Sequence, residues 1–319
     1  MTNNMLPKPQ SDQPVLVIGA AGLDMIGTLK EKPRSDGSNP AGIRVSFGGV
    51  ARNVAENLAR LGQPVRFITA VGDDHVGQQL LVQTADAGVD VSACLRVEGA
   101  ATSAYLAVFQ AEVGPVIALD DMGVLSAITP GYLRQHAELF DGVAMVFVDA
   151  NLQPAVLKTV FTLARKAGVP VCADTTSAAM AGRLEPHLSE IHLLTANAHE
   201  ASVINPDTPE ITGRFTALQA VRRLVNRGVE IALIPLAHFG VCYATSETSG
   251  HVPAVRTKVI DPTGAGDALT ATVIFGLVND IPIDETIRLG VTAASLILKY
   301  PGTVFPGLSL ERLYDELVI

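Results

Sequence analysis

The chain has no tryptophan, only three cysteines in 319 residues, and no lysine/arginine run anywhere along its length. The cysteines, Cys94, Cys172 and Cys242, lie far apart and make no metal-ligand pattern, so they read as isolated buried thiols in a reducing compartment. Without a basic cluster, and with a formal net charge of −9, the chain offers no surface for nucleic acid. The same charge requires any polyphosphate ligand to be held by local dipoles and a divalent cation. Long hydrophobic runs are also missing. Residues 1–14 carry no basic segment ahead of an apolar core, and the run Val15–Ala21 is too short to span a bilayer. A cytoplasmic protein with no membrane partner is expected. The seven histidines show no pairing that suggests a catalytic dyad.

Apolar residues make up 48% of the chain, which suffices for one large α/β domain with a smaller appendage. From about Gly142 onward, buried-strand runs at Val143–Val148, Val169–Ala173, Ile191–Thr195 and Ile231–Leu236 alternate with helical patterns. Pro154–Lys166 and Arg214–Arg227 have helical periodicity and stop at Gly168 and Gly228. This alternation predicts a mainly parallel sheet with helices on both faces, and ligands beyond the carboxyl ends of its strands. The N-terminal third differs. A polar insert at 27–42 leads into Ile43–Phe47, and Ser103–Gln110 and Val116–Leu119 flank a turn at Glu112-Val113-Gly114-Pro115. These pieces predict a small β-sheet lid made of 27–47 and 101–123, projecting from a body made of 14–26, 48–100 and 124–319. Two surface loops with local β character are the plainer alternative.

The most informative stretch is Asp261-Pro262-Thr263-Gly264-Ala265-Gly266-Asp267, running into the apolar segment Ala268–Leu277. The first N–H groups of a helix lack partners within the helix and carry partial positive charge. Gly264, Ala265 and Gly266 leave those donors uncovered, so an anion can approach closely. Asp267 beside the anion would repel it, which is a poor binding design. It becomes a good catalytic one if the carboxylate takes a proton from an attacking hydroxyl. Phosphoryl transfer to an alcohol fits. An acidic glycine turn fits the loop taken alone. There is no Walker lysine and no dinucleotide fingerprint. A second cluster, Phe47-Gly48-Gly49-Val50-Ala51-Arg52-Asn53, opens a helix whose apolar face is Val50, Val54, Leu58 and Leu61, ending at Gly62.

Together with Ala70-Val71-Gly72-Asp73-Asp74…Gly77 and Asn197-Ala198-His199-Glu200, these clusters resemble the motifs of the ribokinase-like (phosphofructokinase-B) carbohydrate kinases, in order, from Val15 to about Gly307. Ser38-Asn39-Pro40, Phe47–Asn53, Leu119-Asp120-Asp121-Met122 and Ala127-Ile128-Thr129-Pro130 are further similar to the pseudouridine-kinase branch. The resemblance implies a three-layer α/β/α sandwich with a β-sheet lid that dimerises, and ATP with Mg²⁺ as cofactors. It makes Asp267 the base and Gly264, Ala265 and Gly266 the anion hole. It assigns Asp24, Gly48, Gly49 and Asn53 to the substrate, a small sugar or nucleoside. Thr102 and Ser103 reach it from the lid, with an ordinary strand position an equal reading. Asn197, Gly240, Gly264 and Gly266 fall to ATP, and Asn197, Glu200 and Asp174 to Mg²⁺, partly through water. Asn197 and Glu200 also fit a plain helix cap, and Asp174 a strand-end turn. Asp261 and Thr263 match positions that hold a monovalent cation such as K⁺, and an Asp-Pro turn explains them too.

The chain departs from the family in three places. Gly22 stands where many members have asparagine, and Thr272 where a glycine is usual. The nucleotide loop, usually Thr-x-Gly-x-x-Gly, reads Pro235-Leu236-Ala237-His238-Phe239-Gly240. The altered loop leaves room for another sugar or nucleoside kinase, or for a sensing protein without turnover.

Overall fold

The computed structural model describes residues 12–110, 114–206 and 210–317. A nine-stranded sheet runs, from one edge, Ser249–Val252, Val241–Ala244, Ile231–Pro235, Ile191–Thr195, Val171–Asp174, Met145–Asp149, Val15–Ile18, Val65–Ile68, Val89–Asp90. The two pairings that involve Val241–Ala244 are antiparallel and all the others are parallel. The period of two divides each central strand between two cores. Leu16 and Ile18 pack with Val146 and Val148 on one face, and Val15 and Val17 with Met145 and Phe147 on the other. With neither face wet, such strands appear in sequence as unbroken apolar runs. Helices Pro154–Ala167 and Arg214–Asn226 cover the first face; Val50–Arg60, Ala265–Val278 and Ile283–Leu298 cover the second. This is the expected α/β/α sandwich. Gly168 ends its helix in the left-handed conformation (φ 69°), where a side chain would be strained.

A separate four-stranded sheet has the order Ala41–Gly48, Gly22–Leu29, Ala104–Gln110, Gly114–Asp121. The hairpin of the last two strands is present, although half of its expected turn, Glu112 and Val113, lies outside the described residues. Residues 22–26, expected in the body, belong to this small sheet, so the boundary at 27 is corrected to 22. The strand was hidden because its inward positions are Gly22, Asp24 and Ile26, which break the apolar alternation that marks a strand. The lid is therefore rooted directly at the end of the first central strand.

Asp149, Asp174 and Thr195 end adjacent parallel strands, and the loops after them open on the same rim as the Gly264–Asp267 turn. The helix that carries Asp267 is fixed by its antiparallel neighbour. A Cβ at Gly276 would overlap the Thr286 side chain, and one at Gly290 would overlap Leu269. Gly276→Ala gains helix propensity of about 1 kcal/mol but overpacks a site with no free space, at about 1–3 kcal/mol. Net destabilisation is expected in urea unfolding. A more stable Ala variant would show that the two helices are not in close contact there.

Candidate active site

Asp267 lies in the first turn of Ala265–Val278, whose N-cap Gly264 is left-handed (φ 83°) and so close to the Thr303 carbonyl that a Cβ would overlap it. At Gly266 a Cβ would meet nothing within 4 Å, so the space in front of this helix start is open to a ligand. Asn53 donates its amide N–H to Asp267 Oδ2 at 2.7 Å, joining residues 214 apart in sequence. Burial raises the Asp267 carboxyl to about 7, offset in part by the Asn53 hydrogen bond and reinforced by the charges of Asp24 and Asp149. It can thus hold a proton and release it near neutrality.

Asp24 projects from the lid strand towards the body and is only 6% exposed. Its carboxyl is also raised to about 7, by burial first, with Arg52 pulling it down, Asp261 pushing it up and Arg44 pulling it down. A Cβ at Gly48 would overlap this carboxylate, and one at Gly49 (φ 97°) would overlap the Ala20 carbonyl. The glycine pair is therefore required by close approach. Arg52, which the sequence reading passed over, is a buried cation beside Asp24; it donates to the Phe47 carbonyl (3.1 Å) and Thr84 Oγ1 (3.3 Å) and pairs with Glu56. The available signal was the i,i+4 series Arg52, Glu56 and Arg60 on the helix side opposite Val50, Val54 and Leu58. Asp149 was also missed. Its buried carboxylate accepts from the N–H groups of Ala20 (2.8 Å), Ala51 (3.1 Å) and Asn151 (3.0 Å), tying the first strand to the helix that bears Asn53.

Three of the expected substrate and cation contacts look different in place. Thr102 donates its hydroxyl to Asp74 (2.7 Å), accepts from the Gly72 N–H (3.1 Å) and is committed to that turn, so its role is to anchor the lid strand. The neighbouring Ser103 is 1% exposed, and its hydroxyl has no partner. Gly22 sits so near the Ser103 carbonyl that the asparagine of the relatives would not fit. Asp261 is buried and paired with Arg44 of the lid, and its other oxygen accepts from the Thr263 N–H at 3.0 Å. Thr272 returns its hydroxyl to the Ala268 carbonyl at 2.8 Å and is a packing variation.

On the other side of Asp267 a cleft of about 750 Å³ is lined by Asn197, Ala237, Gly240, Val255, Gly266, Val291 and Leu298, among others. Its apolar walls from the 254–259 segment and the Ile283–Leu298 helix suit a flat heterocycle, while the Gly266 end suits phosphates. Gly264, the half-buried N-cap of this helix, is next to the cleft-lining Ala265 and Gly266. Ala237, where the family carries glycine, adopts φ 48°, and Gly240 keeps φ 95° with the Val252 carbonyl where a Cβ would go. The loop therefore retains a glycine-type backbone despite its changed sequence.

Asn197 and Glu200 form a complete capping box. Glu200 accepts from Asn197 Nδ2 (2.6 Å), the Asn197 N–H (2.9 Å) and Thr175 Oγ1 (2.6 Å). Asp174 is held well above the usual carboxylate range by burial and by the charges of Glu200 and Asp267. Among the described residues no three His, Cys, Asp or Glu side chains converge closely enough to hold a metal ion. The donor chemistry, two mutually repelling carboxylates and a carboxamide, fits a Mg²⁺ that keeps its water and is held through it.

A pfkB family carbohydrate kinase model matches residues 12–309. The pseudouridine kinase of Escherichia coli K12 is 34% identical over 299 residues, covering 93% of this chain and 94% of that one. The guanosine-inosine kinase of Exiguobacterium acetylicum is 28% identical, covering 89% and 94%. Arabidopsis thaliana ribokinase, solved with ribose and ATP, superposes with a TM-score of 0.84 over 97% of this chain and all of that one, at 23% identity. No helix among the described residues is long and apolar enough to cross a membrane. The chain belongs to the pfkB family of carbohydrate kinases.

Proposed function

We propose that this kinase transfers the γ-phosphoryl group of ATP to the 5′-hydroxyl of pseudouridine. Asp267 carries the reading. It stands between an apolar cleft that ends at open helix N–H groups and a lid carboxylate, Asp24, able to grip a vicinal diol. The 5′-oxygen forms its bond to the γ-phosphorus as the bond to the β-phosphate oxygen breaks. Its proton passes to Asp267 Oδ, and ADP leaves with the electron pair. Gly264, Ala265 and Gly266 present N–H groups to the charge that develops on the phosphoryl oxygens. Asn53 keeps Asp267 aimed, and Asp149 keeps the Asn53 helix in place. Mg²⁺, held through water by Asp174, Asn197 and Glu200, would neutralise the polyphosphate. The 34% identity to a pseudouridine kinase across nearly the whole chain supports the choice of nucleoside.

A panel of pseudouridine, uridine, inosine and ribose with ATP and Mg²⁺ tests this directly, and preferential turnover of ribose would sink it. Asp267→Asn is expected to lower kcat by roughly 10²–10⁴ with nucleotide binding retained. Because the base must be ionised, kcat/KM should fall on the acid side with a midpoint near 7, a limb shared by Asp267 and Asp24. An acid limb near pH 4 would mean that neither group titrates where its burial places it.

Ala237→Gly should leave the KM for ATP unchanged. Ala237→Val puts a β-branched residue at positive φ, with strain of about 1–3 kcal/mol, and should raise that KM roughly tenfold. Equal KM values in both variants would dissociate this loop from the nucleotide.

The outward face of the lid carries Ile43, Val45, Ile117 and Leu119, each more than half exposed. Register aligns Val45, Met25, Leu106 and Leu119 in one row and Ile43, Gly27, Val108 and Ile117 in the next, an apolar face across all four strands. We assign it to a second copy of the chain. Light scattering should give twice the mass of one chain, and Val45→Asp should halve it. A monomeric wild type at micromolar concentration would refute the dimer.

A further inference from the structure

The opposite face of the lid sheet, the one turned to the body, has a different composition. Direct register partners place Ser46, Asp24, Tyr105 and Asp120 in one straight row across the four strands. Directly opposed residues point to the same side of a sheet, and Asp24 fixes that side as the one facing the site. The next row on this face is Arg44, Ile26, Ala107 and Ala118, and there Ile26 and Ala107 are buried. Apart from Arg44 at the outer strand, the next row is apolar, so on the strands Gly22–Leu29, Ala104–Gln110 and Gly114–Asp121 the polar groups of these two rows fall in the line of Asp24.

Two further observations bear on what this row could meet. The Ser46 hydroxyl, next to Asp24, is buried without a hydrogen-bond partner. The Tyr105 phenol feels the charges of both Asp24 and Asp120, which with burial raise it above its ordinary value and keep it a donor. Tyr105 therefore lies between two carboxylates, with its ring half-buried against the site.

Length decides what such a row can recognise. Strands lie ~4.8 Å apart, so Asp24 to Asp120 spans roughly 10 Å. If Asp24 grips the ribose diol, as the proposed function requires, a free pentose ends before Tyr105 and cannot meet Asp120. A nucleoside can. Pseudouridine, being a C-glycoside, carries two ring N–H donors, whereas uridine carries one because its N1 is the glycosidic nitrogen. A carboxylate acceptor at the far end of the row is suited to the ring with the additional donor, and an aromatic face one strand earlier is suited to stack on it.

We propose that Tyr105 and Asp120 are the base-reading residues of this kinase, Tyr105 covering the heterocycle and Asp120 accepting from a ring N–H. The proposal rests on a nucleoside being the acceptor. Neither residue touches the transferred proton or the phosphates, so the effect falls on KM and on substrate choice.

The test measures kcat and KM for pseudouridine, uridine and ribose with the enzyme and its Asp120→Asn and Tyr105→Ala variants. Asp120→Asn should raise the KM for pseudouridine about tenfold or more and leave kcat and the ribose parameters unchanged. Tyr105→Ala should raise KM for both nucleosides and not for ribose. Asp120 is exposed at the sheet edge, so its variant is a check that does not depend on lid stability. Equal losses on nucleosides and ribose, or no change in pseudouridine KM for Asp120→Asn and Tyr105→Ala, overturn the proposal. A wild type that prefers another nucleoside refutes pseudouridine alone, and the same variants compared on that nucleoside and ribose then decide the row. A wild type that turns over only free pentoses overturns both.

Discussion

A carboxylate in the first turn of a helix is ordinarily stabilised in its ionised form by the N–H groups around it. Asp267 is driven the other way, because burial and two further carboxylates outweigh the single amide donor from Asn53. Much of the molecule can be read as the means of sustaining that arrangement. The donor comes from a helix that begins after Gly48-Gly49, and that helix start is fixed to the end of the first strand by the hydrogen bonds that Asp149 accepts from the N–H groups of Ala20 and Ala51. The helix behind Asp267 is held by close glycine contacts to its neighbour. Each of these restraints bears on the orientation of one carboxylate.

The accumulated negative charge is costly. Asp24, Asp149, Asp174 and Asp267 are all shifted above the usual carboxylate range, mainly by burial. A group whose folded pKa is raised binds protons more readily in the folded state than in the unfolded one. Stability from Asp24 and Asp267 is therefore lost, not gained, as pH rises from about 4 towards 7. Two permanent cations lower this cost: Arg52 beneath Asp24, and Arg44, which pairs with Asp261 and also pulls Asp24 down.

The sequence revealed what depends on short-range pattern. The buried strands showed as apolar runs because both their faces are dry, and the Gly264–Asp267 turn showed because small residues before a helix leave its amides open. It concealed what depends on register. Gly22–Leu29 did not read as a strand, since its inward positions are a glycine, an aspartate and an isoleucine. Arg52 and Asp149 looked like residues of a helix and a strand end, and only pairing with Asp24 and with Ala20 gives them roles. For Thr102 the sequence left a substrate contact and an ordinary strand position as equal readings, and its hydroxyl donates to Asp74. The loop 235–240 was the opposite case, where letters changed and backbone did not: Ala237 takes the conformation that a glycine would take more easily.

The two faces of the lid show why one short sheet can hold two functions apart. Because side chains alternate, the residues that present an apolar surface outward cannot also reach the substrate, and those that reach the substrate cannot take part in an outer interface. Rooting the lid at Gly22, directly after the first central strand, places Asp24 at a fixed distance from Asp267 through a single short segment of chain. On the proposed reading the acceptor's diol end is set by Asp24 at the root of the lid, and what lies farther along the row is left to the strands Ala104–Gln110 and Gly114–Asp121. Substrate choice can therefore vary within Ala104–Gln110 and Gly114–Asp121 without disturbing the phosphoryl-transfer centre. A family with one chemistry and many substrates would need that division.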